Sequence, residues 1–216
     1  MSSELPPLIR AHAVGVLLAA GLLPALQLIP DAPELLRFAR PAFDAGQWWQ
    51  LFSAQLVHLN PAHAALNAAA LAVSLLAWRV WVTLPAQGIA LVGGALGVAL
   101  VLTLDRNCMF YAGLSGALHG LWAGNAVFLF LGSPQRPAVM CSFGGAMTGQ
   151  RLIAVGLLLV LIGKLLLQTG SSTGAFDAWL RIPVYRPAHW AGLGGGLVAA
   201  SLVWVLIAWR SDGDGA

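Results

Sequence analysis

Charge is what this chain has least of: 11 Lys and Arg with 8 Asp and Glu among 216 residues, 9% in all. A soluble domain of this size carries about a quarter charged residues, so the chain is not a water-exposed globule and its solvent is lipid. Lysine occurs once, as Lys164, and arginines are scattered. Without a basic cluster there is no nucleic-acid footprint, despite the formal charge of +3. Cysteine occurs twice, Cys108 and Cys141, with neither metal spacing nor a disulfide framework. No Asp or Glu falls inside any of the apolar runs described below, so their histidines lack the carboxylate that would argue for a metal site. Neither metal nor cofactor is expected.

What is present is hydrophobic, at 59% of residues. Charge-free runs long enough to cross a bilayer fall at about 12–29, 62–80, 86–104, 115–132, 151–169 and 188–209. The expectation is one all-α, polytopic membrane domain covering 1–216 with six transmembrane helices. Breakers separate the runs: Pro30, Pro33 and Pro41; Pro85; "DRN" at 105–107; Pro134 and Pro137; "GSSTG" at 170–174 with Pro183 and Pro187. The first run follows Arg10 and has no convincing cleavage site after it, so it reads as a retained span. The long loop 30–61 mixes apolar residues, scattered charge and Trp48–Trp49, which suits a segment lying in the membrane interface. Trp78, Trp81, Trp179, Trp190 and Trp209 fall near span ends, as aromatic belts do. Five arginines on each side give no orientation from charge bias, but the parity of six spans puts Cys108 and Cys141 on opposite faces.

Small residues recur every fourth position in two spans: Gly116, Gly120 and Gly124 in the fourth, Ala188, Gly192 and Gly196 in the sixth. Such stripes let helices approach closely in lipid, and the expectation is that these two spans pack on each other. That would bring together the polar residues at their starts, Ser115 and His189.

Ionisable and polar side chains inside a membrane are costly, so each is a functional candidate. Here they are His58, His63 and Asn67; Ser115 and His119; Lys164 and Gln168; and His189. Serine in such a helix is usually inert, bonded to the carbonyl one turn back. Ser115 differs because it opens a span, where first-turn N–H groups are unpaired and can hold a developing oxyanion. Gly113 and Gly116 flank it and permit close approach of a substrate backbone. His189 also opens a span on the same side, and neutral imidazole is the commonest base for a serine. His63 and Asn67, four apart on one face of the second span, supply donors at the same depth. His119 lies one turn deeper than Ser115 on the same face. It competes with His189 for the role of base, and its depth counts against it in that role. Lys164, near a span end, reads as a side chain snorkelling to the headgroups, with Gln168 one turn away as a hydrogen-bonding neighbour.

"HLNPAHAALN" (58–67), "GLSG" (113–116) and "AHWAGLGGG" (188–196) resemble, in order and in span, the rhomboid intramembrane serine proteases. The fuller form "GLSGALHG" with a short six-span body is similar to the rhombosortase subfamily of bacterial inner-membrane proteins. The resemblance implies a rhomboid-like fold, with Ser115 as nucleophile and His189 as general base. It implies an oxyanion hole from His63, Asn67 and the Ser115 N–H, and a structural role for His58. It further implies an active site facing the periplasm and substrates that end in a Gly-Gly motif, a transmembrane helix and a basic tail. Two positions depart from the family pattern. Trp49 is followed by Gln50 where rhomboids often carry Trp-Arg, and His119 stands where an aromatic stacked on the catalytic histidine is common, which implies that His119 supports and orients His189. The competing readings are a rhomboid-like scaffold that binds membrane helices without cutting them and, more weakly, a transporter. The scaffold should have lost the serine or the histidine; the transporter should show broken helices and inverted repeats.

Overall fold

The computed structural model describes residues 7–132, 144–169 and 184–213. Cys141, Trp179, Arg136, Arg181 and the 170–174 stretch lie outside them. Along the chain run α1 (Pro7–Leu26), α2 (Ala32–Leu36), β1 (Phe38–Ala39), α3 (Arg40–Asp44), α4 (Gln50–Ser53) and α5 (Pro61–Trp78). They are followed by α6 (Leu84–Leu104), β2 (Phe110–Tyr111), α7 (Ser115–Leu131), α8 (Gly144–Thr169) and α9 (Arg186–Gly213). Among the described residues, four stretches are long and apolar enough to span a bilayer: Pro61–Trp78, Leu84–Leu104, Gly149–Gln168 and Arg186–Arg210. Ala13–Leu26 and Ser115–Leu131 are apolar but shorter. The protein is therefore an all-α, polytopic membrane protein, apart from one two-stranded bridge.

Several helix bounds differ from the hydropathy runs for local reasons. Helix α1 stops at Leu26, and the amides of Gln27 and Leu28 turn back to the Pro24 and Ala25 carbonyls. Helix α5 starts where Asn60 caps it: the Asn60 side chain accepts from the His63 N–H at 2.8 Å, with Pro61 behind it. Helix α8 covers Gly144–Thr169, so the helix is already formed before 151 and Arg151 lies inside it. There its guanidinium lies 5.6 Å from the Phe130 ring and its Nε donates to the Phe130 carbonyl.

Glycine sets the core. A Cβ on Gly192 would overlap the Gly116 carbonyl, and one on Gly196 the Gly120 carbonyl, so α7 and α9 meet backbone to backbone as their stripes predict. Helix α6 joins this contact. A Cβ on Gly94 would come 2.7 Å from the Ala117 carbonyl, and one on Gly97 would overlap that of Ala191. Helices α6, α7 and α9 form a tightly joined trio. Helix α8 packs on α7 and α9 through Leu161 and Leu165 against Ala123 and Leu193, and α1 packs on α5. The outward faces of α1, α8 and α9 carry exposed Leu18, Leu159, Leu166, Val205 and Trp209, as lipid contact requires.

The loop 30–61 is more built than composition suggests. It folds into three short helices and β1, which pairs antiparallel with β2 (Phe38 with Tyr111, Ala39 with Phe110). Arg40 is buried between the Phe38 and Phe43 rings, at 4.9 and 5.3 Å. Its Nη2 donates to the Leu102 and Asp105 carbonyls, closing the C-terminal end of α6. Gln50 is also buried. Its Oε1 accepts from the Ala39 N–H at 3.0 Å, so it ties the loop to the bridge. Trp48 and Trp49 remain exposed, as an interfacial segment would have them.

Candidate active site

The turn leading into α7 is held from three sides. Gly113 has φ +126°, a conformation that disfavours any side chain, and a Cβ there would sit 2.7 Å from His63 Cε1. Its N–H donates to the Ala54 carbonyl at 2.9 Å, and its carbonyl accepts from the Tyr111 hydroxyl at 2.8 Å. The Leu114 N–H points to His58 Nε2 at 3.4 Å. His58 is buried and meets the His63 ring edge to face at 4.9 Å. Burial, then the neighbouring His63, pushes its pKa down to about 3, so it serves as a neutral acceptor that braces the turn. Burial likewise pushes the Tyr111 phenol up.

With that turn fixed, Ser115 stands at the first position of α7. Its Oγ lies 2.9 Å from His189 Nε2. His189 sits in the first turn of α9, whose approach to α7 the glycines set. The pair expected from two helix starts at one depth is thus in hydrogen-bonding contact. His189 is 5% exposed, and its buried Nδ1 has no hydrogen-bond partner among the described residues. No carboxylate completes a triad among the described residues.

His119 stacks on His189 with ring centroids 4.4 Å apart and planes 19° from parallel. Its Nδ1–H donates to the Ser115 carbonyl at 2.7 Å. Its other nitrogen, Nε2, accepts from Lys164 Nζ at 3.1 Å. Lys164 therefore does not snorkel to the headgroups: the side chain leaves α8 and reaches across to α7. Nor does Gln168 satisfy it as expected, since Gln168 Oε1 is itself buried without a partner among the described residues.

These residues line one cavity of about 1300 Å³ between α5, α7, α8 and the start of α9. His63, Asn67, Ser115, His119, Lys164 and His189 all face it. Asn67 spends one amide N–H on the His63 carbonyl at 3.1 Å and keeps the other. Gly116 is not at the cavity wall but under α9, where a Cβ would meet the Ala188 carbonyl at 2.8 Å. That contact is the close helix approach its four-residue stripe predicts. Around the cavity mouth, Tyr185 donates to Asp105 Oδ2 at 2.6 Å. That bond holds the Asp105 carboxyl below the usual carboxylate range, while burial and the same bond push Tyr185 up. Cys108 is buried, and burial followed by the Asp105 charge raises its thiol pKa. No group of three or more His, Cys, Asp or Glu able to hold a metal occurs among the described residues.

Lys164 is the site residue that sequence reasoning misjudged. The signal was present, as the lone lysine of the chain on an otherwise apolar span in phase with Gln168. A long side chain there can reach outward or inward, and only the rotation of α8 decides.

No curated protein and no solved structure matches the chain. A family model described as the Rhomboid domain matches residues 45–209, which takes in α4 through nearly all of α9 and every residue of the cavity pair. With a Ser–His side-chain contact of the serine-hydrolase kind inside the matched region, the chain belongs to the rhomboid family.

Proposed function

We propose that this protein is an intramembrane serine endopeptidase that uses Ser115 and His189 as a dyad. The observation that carries the reading is the 2.9 Å contact between Ser115 Oγ and His189 Nε2 at the wall of a cavity within the membrane helices. With the His189 proton on Nδ1, Nε2 takes the Ser115 proton as Oγ attacks a peptide carbonyl. The tetrahedral oxyanion is held by the Ser115 N–H at the start of α7, the free Asn67 amide N–H and His63. His189 then passes its proton to the leaving amine, and the acyl group stays on Oγ. A water, deprotonated by His189, releases it and restores both residues. The cavity, with His63, Asn67, Ser115 and His189 in its wall, supplies room for the water that hydrolysis within lipid needs.

All six apolar runs cross the bilayer on this reading, 1–216 is one domain, and 30–61 lies in the interface. His58 is structural and His119 orients His189. The membrane is a bacterial inner membrane with the cavity facing the periplasm. The substrates are membrane proteins with a C-terminal Gly-Gly motif, helix and basic tail. Glycine suits the cleaved segment, because a helix must unwind before its carbonyl can be attacked and glycine favours unwinding. The scaffold alternative is disfavoured because both members of the dyad are present and touching. The test is co-expression with a reporter carrying a Gly-Gly–helix–basic tail. Wild type should release the reporter and Ser115→Ala and His189→Ala should not; release by either variant at matched expression rejects the protease. Equal release of a reporter whose Gly-Gly is replaced by Leu-Leu rejects the substrate class alone.

A further inference from the structure

In a serine–histidine–carboxylate site, the carboxylate holds the imidazole in one tautomer and one orientation. Here His189 Nδ1 is buried without a partner among the described residues, so none of them fixes the ring by a hydrogen bond on that side. What bears on the ring instead is its face, against which His119 stacks at 4.4 Å. The question passes to what fixes His119. Its Nδ1 faces the Ser115 carbonyl at 2.7 Å, a contact that is attractive only if the proton sits on Nδ1. An ammonium has donors and no acceptor, so Lys164 at 3.1 Å from Nε2 demands a lone pair there. The two contacts select the same tautomer and together pin the ring at both nitrogens.

We propose that Lys164 is a positioning residue for the dyad: through Nε2 of His119 it fixes the tautomer and plane of the ring on which His189 rests. It does the orienting work of a triad carboxylate by acting on the face of the base rather than on its far nitrogen. Lys164 belongs to α8 and the dyad to α7 and α9, so the bond also makes the dyad's geometry depend on where α8 stands. The inference rests on the serine-protease reading.

The experiment measures covalent labelling by a fluorophosphonate probe, separating the limiting rate from the half-saturating probe concentration, on the full chain in detergent. Wild-type labelling at Ser115 is the condition for the protease reading; its absence rejects that reading, whatever Lys164 does. Given labelling, Lys164→Met should slow the limiting rate on the order of ten- to a hundredfold, since displacement of a reacting group by about 1 Å costs that much. The half-saturating concentration should stay within about threefold. Lys164→Arg keeps a donor and should retain more of the rate than Lys164→Met. If Lys164 acts only through His119, then His119→Phe/Lys164→Met should label no more slowly than His119→Phe alone. This comparison and the arginine variant carry the test if Lys164→Met does not accumulate. A wild-type limiting rate in Lys164→Met, or a loss confined to probe affinity, overturns the proposal. So does a further loss in the double variant equal to that of Lys164→Met alone.

Discussion

Gly116→Ala isolates the geometry on which the dyad depends without touching either of its members. A Cβ at Gly116 would come 2.5 Å from Val98 Cγ2, 3.2 Å from the Tyr111 hydroxyl and 2.8 Å from the Ala188 carbonyl. Val98 can rotate away, but the carbonyl belongs to the backbone of α9 and precedes His189. Ordinary contact begins near 3.4 Å, so the start of α9 must retreat by about 0.6 Å (3.4 − 2.8). Added to the 2.9 Å between Ser115 Oγ and His189 Nε2, that retreat gives about 3.5 Å, the outer edge of a hydrogen bond. A 1 Å error at a reacting group costs about a hundredfold, so fluorophosphonate labelling should slow roughly tenfold or more. Overpacking of this kind also costs about 1–3 kcal/mol in stability. Gly194→Ala is the control: it lies on α9, the helix that carries His189, its Cβ would meet nothing within 4 Å, and alanine is the better helix former by about 1 kcal/mol. It should label at the wild-type rate with an equal or higher Tm, which the chain's 9 tryptophans allow to be read by intrinsic fluorescence. Labelling of Gly116→Ala at the wild-type rate would refute the claim that the α7–α9 approach sets the dyad distance.

Asn67→Ala and His63→Ala should each lower cleavage of a membrane reporter by about a hundredfold or more without preventing assembly, the usual cost of one oxyanion donor. A change confined to substrate affinity would remove the residue from that role. His119→Phe keeps a flat ring against His189 and should retain measurable labelling, whereas His189→Phe should have none; the opposite ranking would exchange their roles. Asp105, whose carboxyl the Tyr185 hydroxyl holds below its ordinary value, contributes stability that is present above about pH 4 and is lost as pH falls through the lowered folded-state value. Tyr185→Phe should therefore lower Tm above pH 4 and converge with wild type in stronger acid, and an equal Tm difference at all pH values would contradict the linkage.

Much of the site was legible because lipid makes polar residues conspicuous. Ser115, His119 and His189 stand out in runs with no charge, and the four-residue stripes that join α7 to α9 require only helical periodicity. The participation of α6 was not read, although Gly93, Gly94 and Gly97 are plain in the sequence. Their spacing does not show which neighbour they face. Lys164 shows the same limit, since its reach fits both headgroups and His119 and the orientation of α8 chooses. The loop 30–61 was opaque for another reason. Its order rests on partners far along the chain, with Arg40 on the Leu102 and Asp105 carbonyls and β1 on β2. Local composition carries no trace of such pairings.

The most direct measurement is mass-spectrometric mapping of the fluorophosphonate adduct on the purified, membrane-extracted protein. The dyad predicts a single modified residue, Ser115, in wild type, with no adduct in Ser115→Ala and none in His189→Ala. Modification of a serine other than Ser115, or an undiminished Ser115 adduct in His189→Ala, would contradict it.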